Sequence, residues 1–150
     1  MRPFTLPIRF GLATSAALIL YFLVLAFFNL HTNIFFSLFN IVITGFGIYE
    51  AIKYRRRNEG SKFDYKKGFL TGIVTGFLAT LLFTVFFTLY TTEINLNYLP
   101  RLSEEWFRNI NFKGIVYFTV AIMGFATSLV LTLSFMQLFK KSNNTVGQKA

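Results

Sequence analysis

Residues 68–90 read GFLTGIVTGFLATLLFTVFFTLY, 23 positions without a charge. Thirteen of them are Leu, Ile, Phe or Val, each worth about −0.3 to −0.6 kcal/mol at the centre of a membrane helix. Their sum, roughly −4 to −8 kcal/mol, outweighs the glycines and threonines between them. At about 1.5 Å per residue the segment is long enough to cross a hydrocarbon layer of about 30 Å. The stretch therefore predicts a transmembrane helix.

Three further apolar runs accompany it. Residues 10–30 form an uncharged run preceded by Arg2 and Arg9, with Pro3 and Pro7 expected to keep the leading segment from being a regular helix. This run exceeds the short apolar core of a signal peptide, and residues 29–33 carry no small-x-small cleavage pattern, so it reads as an uncleaved span. Residues 34–52 are only 19 long and include Asn40, Thr44, Gly45, Gly47 and Glu50. That is about the minimum for a crossing, and a re-entrant segment is the alternative. Residues 114–139 lie between Lys113 and the pair Lys140 and Lys141. At 26 residues this run is longer than the bilayer demands, so it tilts or projects beyond the lipid.

The composition agrees. Apolar residues make up 54% of the 150-residue chain and charged residues only 14%, against about a quarter charged in soluble domains. The length permits one domain. The fold expected is all-α: an integral membrane bundle of four transmembrane helices at about 10–30, 34–52, 68–90 and 114–139.

Four spans put the amino terminus, the loop 53–67 and the carboxyl terminus on one side. That side carries twelve Lys and Arg residues, and the other only Arg101, Arg108 and Lys113. The positive-inside rule then predicts a multi-pass protein of the cytoplasmic (inner) membrane with both termini cytoplasmic. Balanced loops would be needed for a dual-topology small multidrug transporter, and these are not balanced. The net charge of +9 sits in short segments between apolar runs, which argues for a membrane rather than nucleic acid as the partner.

Gly68, Gly72 and Gly76 form a GxxxGxxxG row, and Gly124, Ser128 and Thr132 offer a matching small-residue row on the fourth run. Small residues at this spacing let two helix backbones approach closely. Packing within the chain, a homodimer interface and a substrate path all remain open readings. Phe83 and Phe86 share the glycine arc further along, so close approach is expected only at the inner half. Thr80, Thr84 and Thr88 drift off that arc and are expected to bond to carbonyls of their own helix rather than line a pore.

Glu50 and Asn40 are the candidate intramembrane polar site. The plainer alternatives are an ion pair from Glu50 to Lys53 at i+3 and an interhelical hydrogen bond from Asn40. Lys53, Arg55, Arg56, Arg57, Lys66 and Lys67 form a basic loop suited to anionic lipid on the cytoplasmic face. In the outer loop, Ser103 followed by Glu104 and Glu105 reads as a helix start, with Leu102, Trp106 and Ile110 on one face. A short interfacial helix at about 103–110 is expected there, anchoring on the bilayer or docking an envelope partner.

The absence of cysteine excludes disulfides, thiol nucleophiles and cysteine-ligated metals. A single His, His31, excludes multi-histidine metal sites. The few acids form no close dyad, and no nucleophile has an activating partner in sequence. Neither catalytic nor cofactor nor metal residues are expected, and the chain does not read as an enzyme.

From Lys62 onward the chain resembles a bacterial family of small four-helix membrane proteins classified only as a domain of unknown function. The residues that carry the likeness are Phe63-x-Tyr65-Lys66-x-Gly68-Phe69-x-x-Gly72, with Tyr90 before the outer loop and the closing Phe139-Lys140-Lys141-Ser142. The resemblance implies the same topology and supplies no activity, cofactor or catalytic residue. The function expected is that of an uncharacterised structural or accessory subunit. It would act through helix packing, lipid and either a membrane-protein partner or a homo-oligomer. A small transporter, channel or lipid-translocating subunit is the alternative.

Overall fold

A computed structural model describes residues 5–28, 34–94 and 112–139 of the chain. The described residues form four long helices: α1 (Thr5–Phe27), α2 (Ile34–Glu59), α3 (Tyr65–Leu89) and α4 (Phe112–Phe139). A single 3-10 turn, Gly60–Lys62, links α2 to α3, and a π-helical turn, Tyr90–Ile94, prolongs α3. Three of the helical segments are long and apolar enough to cross a membrane: Thr5–Phe27, Tyr65–Glu93 and Gly114–Phe139. Large apolar side chains such as Leu20, Val24, Phe46, Phe118 and Leu138 face away from the bundle, as lipid contact requires. The chain is thus a helical membrane protein.

Among the described residues α2 does not join that group; its last seven residues, Lys53 to Glu59, are mostly charged. Its 26 residues nevertheless extend for about 39 Å.

Two boundaries differ from the sequence reading. α1 starts at Thr5, so Pro7 lies inside its first turn. Proline is tolerated there because the first N–H groups of a helix have no intrahelical partner to lose. α2 continues seven residues past Ile52, through the basic segment, until Gly60 takes φ +52° and ends it. Phe63 N–H then bonds to the Gly60 carbonyl at 3.3 Å, and the Asp64 carboxylate accepts from Tyr65 N–H at 2.7 Å, capping the start of α3. The expected interfacial helix at 103–110, with Leu102, Trp106 and Ile110, lies outside the described residues.

α3 is the central helix and packs against α1, α2 and α4; α2 also touches both α1 and α4. The core changes character along α3. Its amino-terminal half is lined by Gly68, Thr71, Gly72, Thr75, Gly76, Ala79 and Thr80, all buried. Its carboxyl-terminal half is aromatic: Phe22, Phe87 and Tyr90 are buried together, with Phe83, Phe86 and Tyr117 around them. Phe22 meets the rings of Phe83, Phe86, Phe87 and Tyr90 edge-on, at centroid distances of 5.1–6.3 Å, an arrangement favoured by ring quadrupoles. Tyr90, which has the position of an interface anchor in sequence, is therefore a core residue.

Candidate functional site

The glycine row of α3 is closed by α4. A Cβ built on Gly76 would lie 2.5 Å from the Cβ of Ser128, and one on Gly72 would lie 2.5 Å from Cγ2 of Thr132. One on Gly68 would lie 2.8 Å from Sδ of Met136. Reciprocally, Gly124 of α4 faces Thr80. Ser128, Thr132 and Met136 are the buried stripe of α4, at a spacing of four, and most of its other side chains face out. Such contact demands small residues on both sides, and it occupies the row that a GxxxG homodimer would need.

Two more glycines bring α1 into contact. Gly47 of α2 is covered by Thr14 of α1, and Gly11 of α1 lies against Leu78 and the Thr75 carbonyl of α3. These contacts involve isolated glycines, which left no repeat for sequence reading to find.

Among the described residues ten of those buried are polar, and nine of these are Ser or Thr. Most of their hydroxyls donate to a carbonyl of their own helix: Thr14 to Phe10, Thr71 to Lys67, Ser128 to Gly124 and Thr132 to Ser128, at 2.7–2.8 Å. Others join helices. Thr75 donates to the Pro7 carbonyl at 3.3 Å, Thr80 and Ser128 lie 3.4 Å apart, and Thr91 and Tyr117 share a 2.9 Å bond. Thr88 donates to the Thr84 carbonyl. The Thr84 hydroxyl itself and Oδ1 of Asn40 are buried without a hydrogen-bond partner among the described residues.

The tenth buried polar residue is Arg55, only 8% exposed. Its Nη1 donates to the Thr71 hydroxyl at 2.8 Å and its Nε to Glu59 Oε1 at 3.1 Å. Lys67 Nζ lies 3.2 Å from the other oxygen of Glu59. A carboxylate between two cations thus ties α2 to α3 beside the turn. Partial burial raises the Glu59 carboxyl, but the hydrogen bonds and charges of Lys67 and Arg55 outweigh this and leave it below its ordinary value.

Arg55 therefore departs from the lipid-facing role expected of it. The reason is helical phase: Arg55 follows Ile48 by seven residues and so continues the Ile48–Ile52 core face. The rest of the basic group lies further out. Arg57 and Lys66 are exposed, Arg56 lies over the ring of Phe139, and Lys53 lies near the Tyr49 ring. Glu50 is bonded to Lys53 Nζ at 2.9 Å, with both side chains about one-third exposed. The structure does not join Glu50 to Asn40; they stand ten residues apart on α2. No group of three or more His, Cys, Asp or Glu suited to a metal occurs among the described residues.

Residues 9–141 match a family described as a protein of unknown function, DUF4199. The chain belongs to this family. The match takes in α1 and α2 as well as the second half of the chain, where the sequence motifs lie. No curated protein and no solved structure matches the chain. The geometry gives the motif a physical meaning. Phe63 folds back over Gly68 and joins the Ile48, Ile52 and Met136 cluster, Tyr65 stacks on Phe69, and Gly68 and Gly72 admit α4.

Proposed function

We propose that the chain is a four-span protein of the bacterial inner membrane, with both termini cytoplasmic. It serves as a non-enzymatic structural or accessory subunit through helix packing, lipid and partner contacts. The observation that carries this reading is the use of the bundle's small and polar residues to join its own helices. The glycine row is filled by Ser128, Thr132 and Met136, and Arg55 and Glu50 are each ion-paired. A crossing by α2 is supported by its course along α1, from the Tyr21–Phe39 ring contact at one end to Phe10–Tyr54 at the other.

The cysteine-free chain allows a direct test by labelling with membrane-impermeant thiol reagents. Thr5→Cys and Ser61→Cys should react from the cytoplasmic side and Glu93→Cys from the opposite side. A re-entrant α2 would instead separate Thr5→Cys from Ser61→Cys. Co-purification from native membranes, with mass spectrometry of bound proteins, tests the accessory role. A stoichiometric partner supports it, and a partner-free homo-oligomer that retains a small molecule refutes it.

One observation favours the second reading, a small transporter, channel or lipid-translocating subunit. Ile48 lies by Gly76 and Ile52 by Gly72. Continuing that antiparallel register brings Asn40 level with Thr84, and these two carry the unpartnered polar atoms. Loss of a flux in Asn40→Leu and Thr84→Val, with expression unchanged, would establish it.

A further inference from the structure

We infer that the groove between the start of α1 and the end of α2 is a binding site for the headgroup phosphate of an anionic phospholipid. The groove, of about 310 Å³, is lined by Leu6, Arg9, Phe10 and Ala13 of α1 and Tyr54 of α2. The four α1 positions stand at i, i+3, i+4 and i+7 and so share one helix face. The Phe10 and Tyr54 rings, 5.8 Å apart, join the two helices there.

The groove also offers a cation. Lys53, Arg55 and Lys67 each lie against a carboxylate, whereas Arg9 makes no ion pair among the described residues. A guanidinium offers five donors in a planar fork that matches phosphate oxygens, and Tyr54 lines the same groove. Leu6, Phe10 and Ala13 supply an apolar wall beside that cation. Free phosphate would engage the cation and leave the wall wet. A phosphodiester that carries acyl chains satisfies both, and both helices continue from here as apolar surfaces along which the chains can lie: Leu12 and Leu20 on α1, Phe46 and Val42 on α2. Its cation comes from α1 and so differs from the basic group of residues 53–67, whose attraction for anionic lipid is diffuse.

Assignment to the cytoplasmic leaflet rests on the orientation proposed above. The binding assay does not depend on orientation, so its failure would leave that orientation standing. The full chain is reconstituted in nanodiscs of phosphatidylcholine with a minority of phosphatidylglycerol, and the lipids retained on release are counted by native mass spectrometry. The wild-type chain should keep one phosphatidylglycerol in preference to phosphatidylcholine. Arg9→Gln should lower its retention roughly five-fold, the worth of one cation at a membrane surface. Arg9→Lys should keep most of it, Ala13→Trp should expel it by filling the groove, and the exposed Lys62→Gln should leave it unchanged. Circular dichroism on each variant separates loss of lipid from loss of fold, and Ala13→Trp and Arg9→Lys carry the test if Arg9→Gln does not fold. Equal losses in Arg9→Gln and Lys62→Gln, no preference for phosphatidylglycerol, or displacement of the lipid by inorganic phosphate would each overturn the proposal.

Discussion

Gly76→Ala tests whether close approach of α3 and α4 holds the bundle together. The new Cβ would stand 2.5 Å from Ser128 Cβ, 2.7 Å from Ser128 Oγ and 3.1 Å from Ile48 Cδ1. Carbon atoms in contact prefer about 3.5–4.0 Å, so the first overlap amounts to roughly 1 Å. It involves a Cβ, which cannot rotate away, and the helix axes must separate. Overpacking of this kind costs about 1–3 kcal/mol. Alanine returns about 0.8–1.0 kcal/mol in helix propensity. Separation also lengthens the 3.4 Å contact between Thr80 and Ser128, and interhelical hydrogen bonds in membranes average about 0.6 kcal/mol. The expected net loss is about 2.7 kcal/mol at the upper end of that overpacking range.

The assay is reversible unfolding in mixed micelles, followed by circular dichroism, with a double-mutant cycle. Ser128→Gly removes the opposing Cβ, so the double variant should lose less than the sum of the singles, by about 1–2 kcal/mol. Gly45→Ala is the control, because its nearest neighbours would be at 3.6–3.7 Å, an ordinary contact. It should be neutral or gain up to about 1 kcal/mol. If Gly76→Ala behaves like Gly45→Ala, or if Ser128→Gly gives no relief, the packing argument is wrong.

Other perturbations probe the remaining parts of the structure. Arg55→Met removes charge-assisted bonds to Thr71 and Glu59 and should cost about 1.5–3 kcal/mol in the same assay; a cost below that of Lys53→Met would refute its role. Glu59 is held below its ordinary value, so its contribution is full above its unfolded pKa of about 4.3 and is lost as pH falls below that through the folded value. Stability should accordingly be flat from neutral pH down to that point and then fall, and Glu59→Gln should flatten the fall. Glu50→Gln breaks only a part-exposed pair and should shift stability by less than about 1 kcal/mol. Thr84→Val removes an unpartnered buried hydroxyl and should stabilise the bundle by roughly 1 kcal/mol, unless that hydroxyl holds a transported solute, in which case flux is lost.

The parts of this fold that were legible in sequence are the repetitive ones. Long uncharged runs mark α1, α3 and α4, because a helix in lipid must be apolar along its whole length. The four-residue glycine spacing of α3 pointed to the matching row of α4 because a contact between helices recurs once per turn. α2 was less legible, since its buried face passes from Ile48 and Ile52 to Arg55 without a break in the helix. A run of five residues containing four cations hides which one turns inward, and helical phase was the signal that distinguished it. Gly11 and Gly47 were silent because each makes a single crossing contact. The unpartnered atoms of Asn40 and Thr84 depend on their neighbours, which no local pattern records.

The position of Arg55 has a consequence for how the protein is made. Thr71, which holds its guanidinium, belongs to a helix synthesised after α2. When only α1 and α2 have been made, that guanidinium lacks this partner and stays hydrated. Arrival of the first turns of α3 must strip the water away, so this stage of bundle assembly is also the dehydration of a charge. A chain that halts before Thr71 keeps a wet arginine at the helix face that α3 would cover, a polar mark by which an unfinished bundle differs from a complete one.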